Sequence, residues 1–143
     1  MTFYRFDYSN FPEVIVSFIK NIEKKYVKTF FDECLTIYNH KKPFYMIYDT
    51  SELCTAPPTF IYKLVRFIKK IKKMEEQYLT KSILIACDTI FARCLLNTTM
   101  ALTSPTADIY IYWKKENENT ININNINMLL QRAPALFQCV KAN

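Results

Sequence analysis

The chain contains no glycine, and that single absence removes whole classes of function. Phosphate-cradling loops and dinucleotide-binding turns need glycine where the backbone approaches a phosphate or takes a positive φ, so both nucleotide motifs are all but excluded. Turns have to be made from Asn, Asp, Ser and Pro instead. Histidine is nearly as scarce: His40 is the only one, which leaves a Cys-His or Ser-His pair a single base to draw on. The five cysteines, Cys34, Cys54, Cys87, Cys94 and Cys139, contain no C-x-x-C pair and no recurring ligand spacing, so zinc-binding and thioredoxin-like motifs are missing too. No catalytic residue, metal site or cofactor site is expected.

Long apolar runs are also lacking. Lys, Asp or Asn interrupts every one well before the ~18 residues a membrane-spanning helix needs. The N-terminal stretch Met1 to Asn10 alternates aromatic and polar residues and does not read as a signal peptide. Odd in number and set mostly in apolar segments, the cysteines read as reduced thiols acting as small buried hydrophobes, which points to an intracellular, cytoplasmic compartment. What the chain does have is 143 residues, half of them hydrophobic and 15% aromatic, with a net charge of +6. That balance predicts one folded domain over 1–143, its tail from Pro134 the least regular part. The excess of Asn, Ile and Lys, thickest from Asn117 to Asn127, suggests an AT-rich genome.

Periodicity supplies the elements. Two β-rich runs, Thr2 to Tyr8 and Val14 to Ile19, flank the turn-like Ser9-Asn10-Phe11-Pro12 and predict an antiparallel hairpin. From Asn21 to Asn39, Ile22, Tyr26, Phe30, Cys34, Ile37 and Tyr38 recur at helical spacing. Phe44 to Tyr48 is a near-continuous apolar strand, followed after Pro57-Pro58 by a helix over Thr59 to Gln77 in which Thr59 is placed to cap. Ser82 to Cys87 reads as an interior strand, Ile90 to Leu102 as a helix with Phe91, Cys94, Leu95 and Leu102 inward, Asp108 to Trp113 as a strand, and Thr120 to Gln131 as a last helix. The order β-β-α-β-α-β-α-β-α predicts an α/β fold with one mixed, largely parallel sheet and helical crossovers.

That order, with Pro43-Phe-Tyr-Met-Ile-Tyr-Asp-Thr-Ser-Glu-Leu53 and Ser82-Ile-Leu-Ile-Ala-Cys-Asp88, resembles the STAS superfamily, which includes anti-sigma factor antagonists, cytosolic domains of sulphate transporters and SpoIIAA-like relatives. The chain is similar as well to divergent STAS-like and CRAL-TRIO-like proteins of large eukaryotic DNA viruses. The resemblance implies a noncatalytic protein–protein interaction module, in a viral assembly or a regulatory complex, that binds another protein or itself. In signalling members a serine at the start of the helix after this strand is phosphorylated. Here that position has no serine, and Thr59 is the nearest hydroxyl, whose simpler role is the cap. The CRAL-TRIO likeness implies the alternative, a small-molecule or lipid carrier with a cavity lined by Phe60, Leu64 and Phe67.

Two surfaces and one carboxylate pair remain as candidate sites. Lys63, Arg66, Lys69, Lys70 and Lys73, with Lys72 beside them, line the polar face of the second crossover helix, where they could meet nucleic acid or anionic lipid. A solvated outer face is the plain alternative. Phe3, Tyr4, Phe6, Tyr8 and Phe11 crowd the hairpin, where they either dock a partner or pack the core. Asp49 and Asp88 stand at strand ends, where two carboxylates can hold a cation or act as acid and base, or simply cap or turn the chain into the next helix, Asp88 before Thr89-Ile90 especially. A pocket of several hundred cubic ångströms would favour the carrier, whereas a filled core with an exposed aromatic hairpin would favour the interaction module.

Overall fold

A computed structural model describes residues 2–53, 55–116, 118 and 121–142. Strands β1 (Tyr4–Asn10) and β2 (Glu13–Phe18) form the antiparallel hairpin. β2 then pairs in parallel with β3 (Phe44–Asp49), β3 with β4 (Leu79–Cys87), and β4 with β5 (Ile109–Lys114). A short strand β6 (Gln138–Val140) closes the sheet antiparallel to β5, so the six strands lie side by side in sequence order. The helices are α1 (Lys24–Tyr38), α2 (Pro58–Lys72), α3 (Ile90–Leu102) and α4 (Ile126–Arg132), the last entered through a tighter turn at Ile123–Asn125.

Sequential order has a geometric consequence. Each parallel crossover steps one strand in the same direction, and because such crossovers are right-handed, α1, α2 and α3 all fall on one face of the sheet. The alternation of strand side chains agrees. Val14, Val16 and Phe18 of β2 and Phe44 and Met46 of β3 pack with Val27, Phe30, Cys34 and Ile37 of α1. Their neighbours in the strands, Ile15, Ile47, Ile83 and Ile85, point the other way and are covered by Ile126 and Leu130 of α4 together with Phe137. Strands buried on both faces in this way account for the unbroken apolar runs of the sequence.

Element ends depart from the periodic reading where side chains intervene. α2 stops at Lys72, short of Gln77, and beyond its end the Gln77 amide folds back and donates at 2.9 Å to the Ile71 carbonyl, which also accepts from the Met74 amide, and to the Met74 carbonyl. The final helix is shorter than the expected span from Thr120 to Gln131, and Thr120 itself lies outside the described residues. The tail holds a strand that the reading from Pro134 onward did not anticipate: Gln138–Val140 has little β signal of its own and is held by the β5 edge. Within α3 the inward face is Ala92, Leu95, Leu96 and Thr99. Cys94 and Leu102, expected in the core, are exposed.

Without glycine, the exit from α1 uses Lys41 at φ 55°, the left-handed region where a Cβ is unfavourable. The Lys41 amide donates to the Tyr38 carbonyl at 3.2 Å, which holds the turn in place. Substituting Lys41→Gly should therefore raise stability by about 0.5–1 kcal/mol, relief of Cβ strain outweighing the extra chain entropy of glycine in the unfolded state. Urea denaturation should show a higher midpoint at unchanged slope.

Candidate functional site: an apolar cavity beneath the helical layer

The three helices on one face do not fill the space above the sheet equally. α1 buries Val27, Phe30, Cys34, Ile37 and Tyr38, and α2 buries Phe60, Val65 and Ile71, but α3 buries only Thr99. Beneath α3 the floor is made by Ser82, Leu84 and Ala86 of β4, and Leu95, Leu96 and Met100 look down on a gap beside the two small side chains, Ser82 and Ala86. The result is a partly open cavity of about 230 Å³, roofed by α2 and α3 and walled by Phe31 of α1. Phe60, Leu64 and Phe67, the three α2 residues read as cavity lining, all face it.

Its chemistry is uniform. No Lys, Arg, His, Asp or Glu is among the lining residues. Several of its polar groups are occupied within the protein: Thr50 donates to the Ile85 carbonyl at 2.8 Å, Thr99 to the Leu95 carbonyl at 2.9 Å, and the Cys87 thiol to the Ser51 carbonyl at 3.2 Å. The Tyr48 hydroxyl has a weaker partner, the thioether of Met46 at 3.0 Å, and burial pushes its pKa well above the usual phenol value. Burial likewise pushes the Cys34 thiol up, so it stays a neutral core group. A partly open pocket with so apolar a lining suits apolar guests.

No family model, curated protein or solved structure matches this chain. The cavity therefore has to be judged on its own geometry, beside the other candidate sites.

The hairpin aromatics divide. Phe3 and Tyr4, read as candidate partner-binding residues, are corrected to core: they are 0% and 6% exposed and pack on Phe18 and Phe30. Burial follows because β1 lies over α1, where the Phe30 ring touches Phe3, Tyr4, Phe6 and Phe18. Phe6 is half-buried in the same cluster. Tyr8 and Phe11 stay exposed, Tyr8 donating to Glu33 at 2.6 Å and Phe11 lying against His40.

Thr59 is exposed and does not cap α2. Pro57 holds the cap position and Pro58 the first turn, leaving Thr59 without a side-chain cap bond. Asp49 turns the chain, accepting from the Ser51 amide at 3.1 Å and the Ser51 hydroxyl at 2.6 Å. Asp88 does not cap α3; Thr89 does, accepting from the Ala92 amide at 3.1 Å. His40 follows α1 ahead of β3, whereas Cys87 ends β4, so the two lie at opposite ends of the parallel strands and form no pair. Among the described residues no cluster of three His, Cys, Asp or Glu could hold a metal ion. Cys94 and Cys139 are exposed, against the expectation of buried thiols, and Cys54 lies outside the described residues.

The basic residues Lys63, Arg66, Lys69, Lys70 and Lys73 are all exposed along α2. Lys72 does not join them, because its ammonium reaches Ser104 in the loop before β5. Sequence reasoning missed the Arg93 platform beside the cavity: Arg93 lies over the Trp113 ring at 4.2 Å and donates to Asp88 at 2.5 Å. Only the folded sheet brings β5 under α3, so spacing carried no signal of it.

That bond to Arg93 holds the Asp88 carboxyl below the ordinary aspartate pKa. A depressed folded-state pKa means that the contribution is complete above the unfolded value and is lost as pH falls through the folded one. In an NMR titration Asp88 should show its midpoint below that of a free aspartate, and Arg93→Ala should return it toward the ordinary value.

Proposed function

We propose that the chain is a noncatalytic binding domain that holds one compact, uncharged apolar molecule between its sheet and helices α2 and α3. The observation that carries this reading is the cavity of about 230 Å³ with no charged residue in its lining. An empty space of that size forfeits dispersion contacts that a guest would restore. It lies under the ~300–1,000 Å³ range of drug-sized pockets, so the guest is small or protrudes through the opening. A buried ionised head group would find no counter-charge there, which favours neutral ligands such as a short alcohol, ester or aromatic. The CRAL-TRIO-like resemblance of the sequence supports the same class.

Docking of another protein, or of a second copy, is the second reading. Its support has narrowed to Tyr8 and Phe11, which border a surface notch of about 240 Å³ with Thr36, Ile37 and His40. A concentration-dependent sedimentation coefficient abolished by Phe11→Asp would favour it.

The chain's single tryptophan, Trp113, lines the cavity and gives a direct reporter. Energy transfer from Trp113 to the neutral probe N-phenyl-1-naphthylamine should saturate at one probe per chain. Ala86→Leu extends a floor side chain into the void, so it should weaken probe binding by more than about tenfold while changing stability by less than about 1 kcal/mol. Saturable binding unaffected by Ala86→Leu, or no binding of neutral probes at all, would overturn the reading. Destabilisation of about 1–3 kcal/mol would show instead a filled core at this point.

A further inference from the structure

The outer surface of the helical layer presents two neighbouring ridges of different chemistry. On α2, Tyr62, Arg66, Lys69 and Lys73 recur at the four-, three- and four-residue spacing of one helix face, with Lys63 and Lys70 beside them, all exposed. Among the described residues, the salt bridges engage Lys20, Lys25, Lys28, Arg93 and Lys141 and none of these α2 cations. On α3 the same spacing picks out Ile90, Cys94, Asn97 and Ala101, exposed and uncharged; Ile90 opens this line at 85% exposure, and Leu102, 55% exposed, stands off the line at the far end of the helix. The only charged residue of α3, Arg93, is turned aside onto Asp88 and Trp113.

α2 and α3 each follow a strand of the parallel ladder and pack side by side, so the basic ridge and the uncharged ridge headed by Ile90 share one face. The cavity lies directly under their seam, lined by Leu64 and Ile68 from one helix and Phe91 and Leu95 from the other. Phe91 is both lining and surface, at 36% exposure.

We propose that this face docks on an anionic lipid bilayer, with the α2 cations at the phosphate level and Ile90 and Leu102 seated shallowly among the acyl chains. Docking stands on the two ridges and does not require the cavity reading; if both hold, the guest enters from the membrane through the seam. A bilayer surface rewards cations and adjoining apolar side chains together. Nucleic acid would reward the cations and the exposed Tyr62 ring, but Ile90 and Leu102 against phosphates would gain no contacts of their own. No helix among the described residues is long and apolar enough to cross a membrane, and docking at the surface asks for none.

Co-sedimentation of the full chain with phosphatidylcholine vesicles, with and without phosphatidylserine, tests the proposal. Binding is expected only on the phosphatidylserine vesicles and should weaken as salt is raised. The charge reversal Lys69→Glu, Lys70→Glu, Lys73→Glu should lower partition by more than about tenfold. Ile90→Ser, which leaves the charge unchanged, should lower it severalfold without altering any salt-sensitive retention of a DNA duplex. All four positions are exposed, so circular dichroism should show the fold intact. Ala86→Leu should leave vesicle binding unchanged, which separates failure of docking from failure of the cavity reading. Equal partition on both vesicle types, indifference to the charge reversal, or duplex DNA held more tightly than vesicles would each overturn the proposal.

Discussion

The rest of this molecule depends on the parallel ladder from β2 to β5, whose strands are neighbours in space in the same order as in sequence. Consecutive right-handed crossovers then have no choice of side, and three helices are committed to one face while α4 alone covers the other. Ile15, Ile47, Ile83 and Ile85 need only that short helix and Phe137 to be sealed. On the opposite face the layer is thick with rings at the α1 end, where Phe3, Tyr4, Phe18 and Phe30 interlock, and thin at the α3 end.

The gradient in packing across that face gives the site its character. Aromatic side chains over β2 and β3 interlock around Phe30, whereas on β4 the small Ser82 and Ala86 flank Leu84 and leave space beneath the leucines of α3. The same helix has one charged residue and exposes Ile90 and Leu102, so it is under-packed inside and apolar outside. α2 is its complement, buried through Phe60, Val65 and Ile71 and cationic along its crest. Its last-turn lysines Lys69 and Lys70 also lie at the negative end of their own helix dipole, which helps the cations sit together there.

Much of this was legible in the residues and some of it could not be. The hairpin, the β-α alternation and the span of α3 follow from local pattern, and they emerge where propensity, period and breaker residues agree. The end of α2 was misread, and beyond it the Gln77 amide folds back, an interaction that periodicity does not encode. β6 was missed because a three-residue edge strand takes its conformation from the partner that pairs with it. Thr59 and Asp88 were both read as caps from their position before a helix, yet Pro57 and Thr89 hold those positions, since a one-residue shift decides which side chain can reach the free amides.

Sequence alone determined the class of the fold, the lack of any glycine-dependent phosphate site, and the cationic face of α2, because each rests on residue type or on short-range periodicity. It also marked Phe60, Leu64 and Phe67 as inward. Whether those rings would meet a filled core or a void was decided only by tertiary structure, since that depends on the size of side chains contributed by β4 and α3 from distant parts of the chain. The hairpin aromatics carry the same lesson: Phe3 and Tyr4 are spent on the core around Phe30, whereas Tyr8 and Phe11 meet the polar end of α1 at Glu33 and His40 and stay partly exposed.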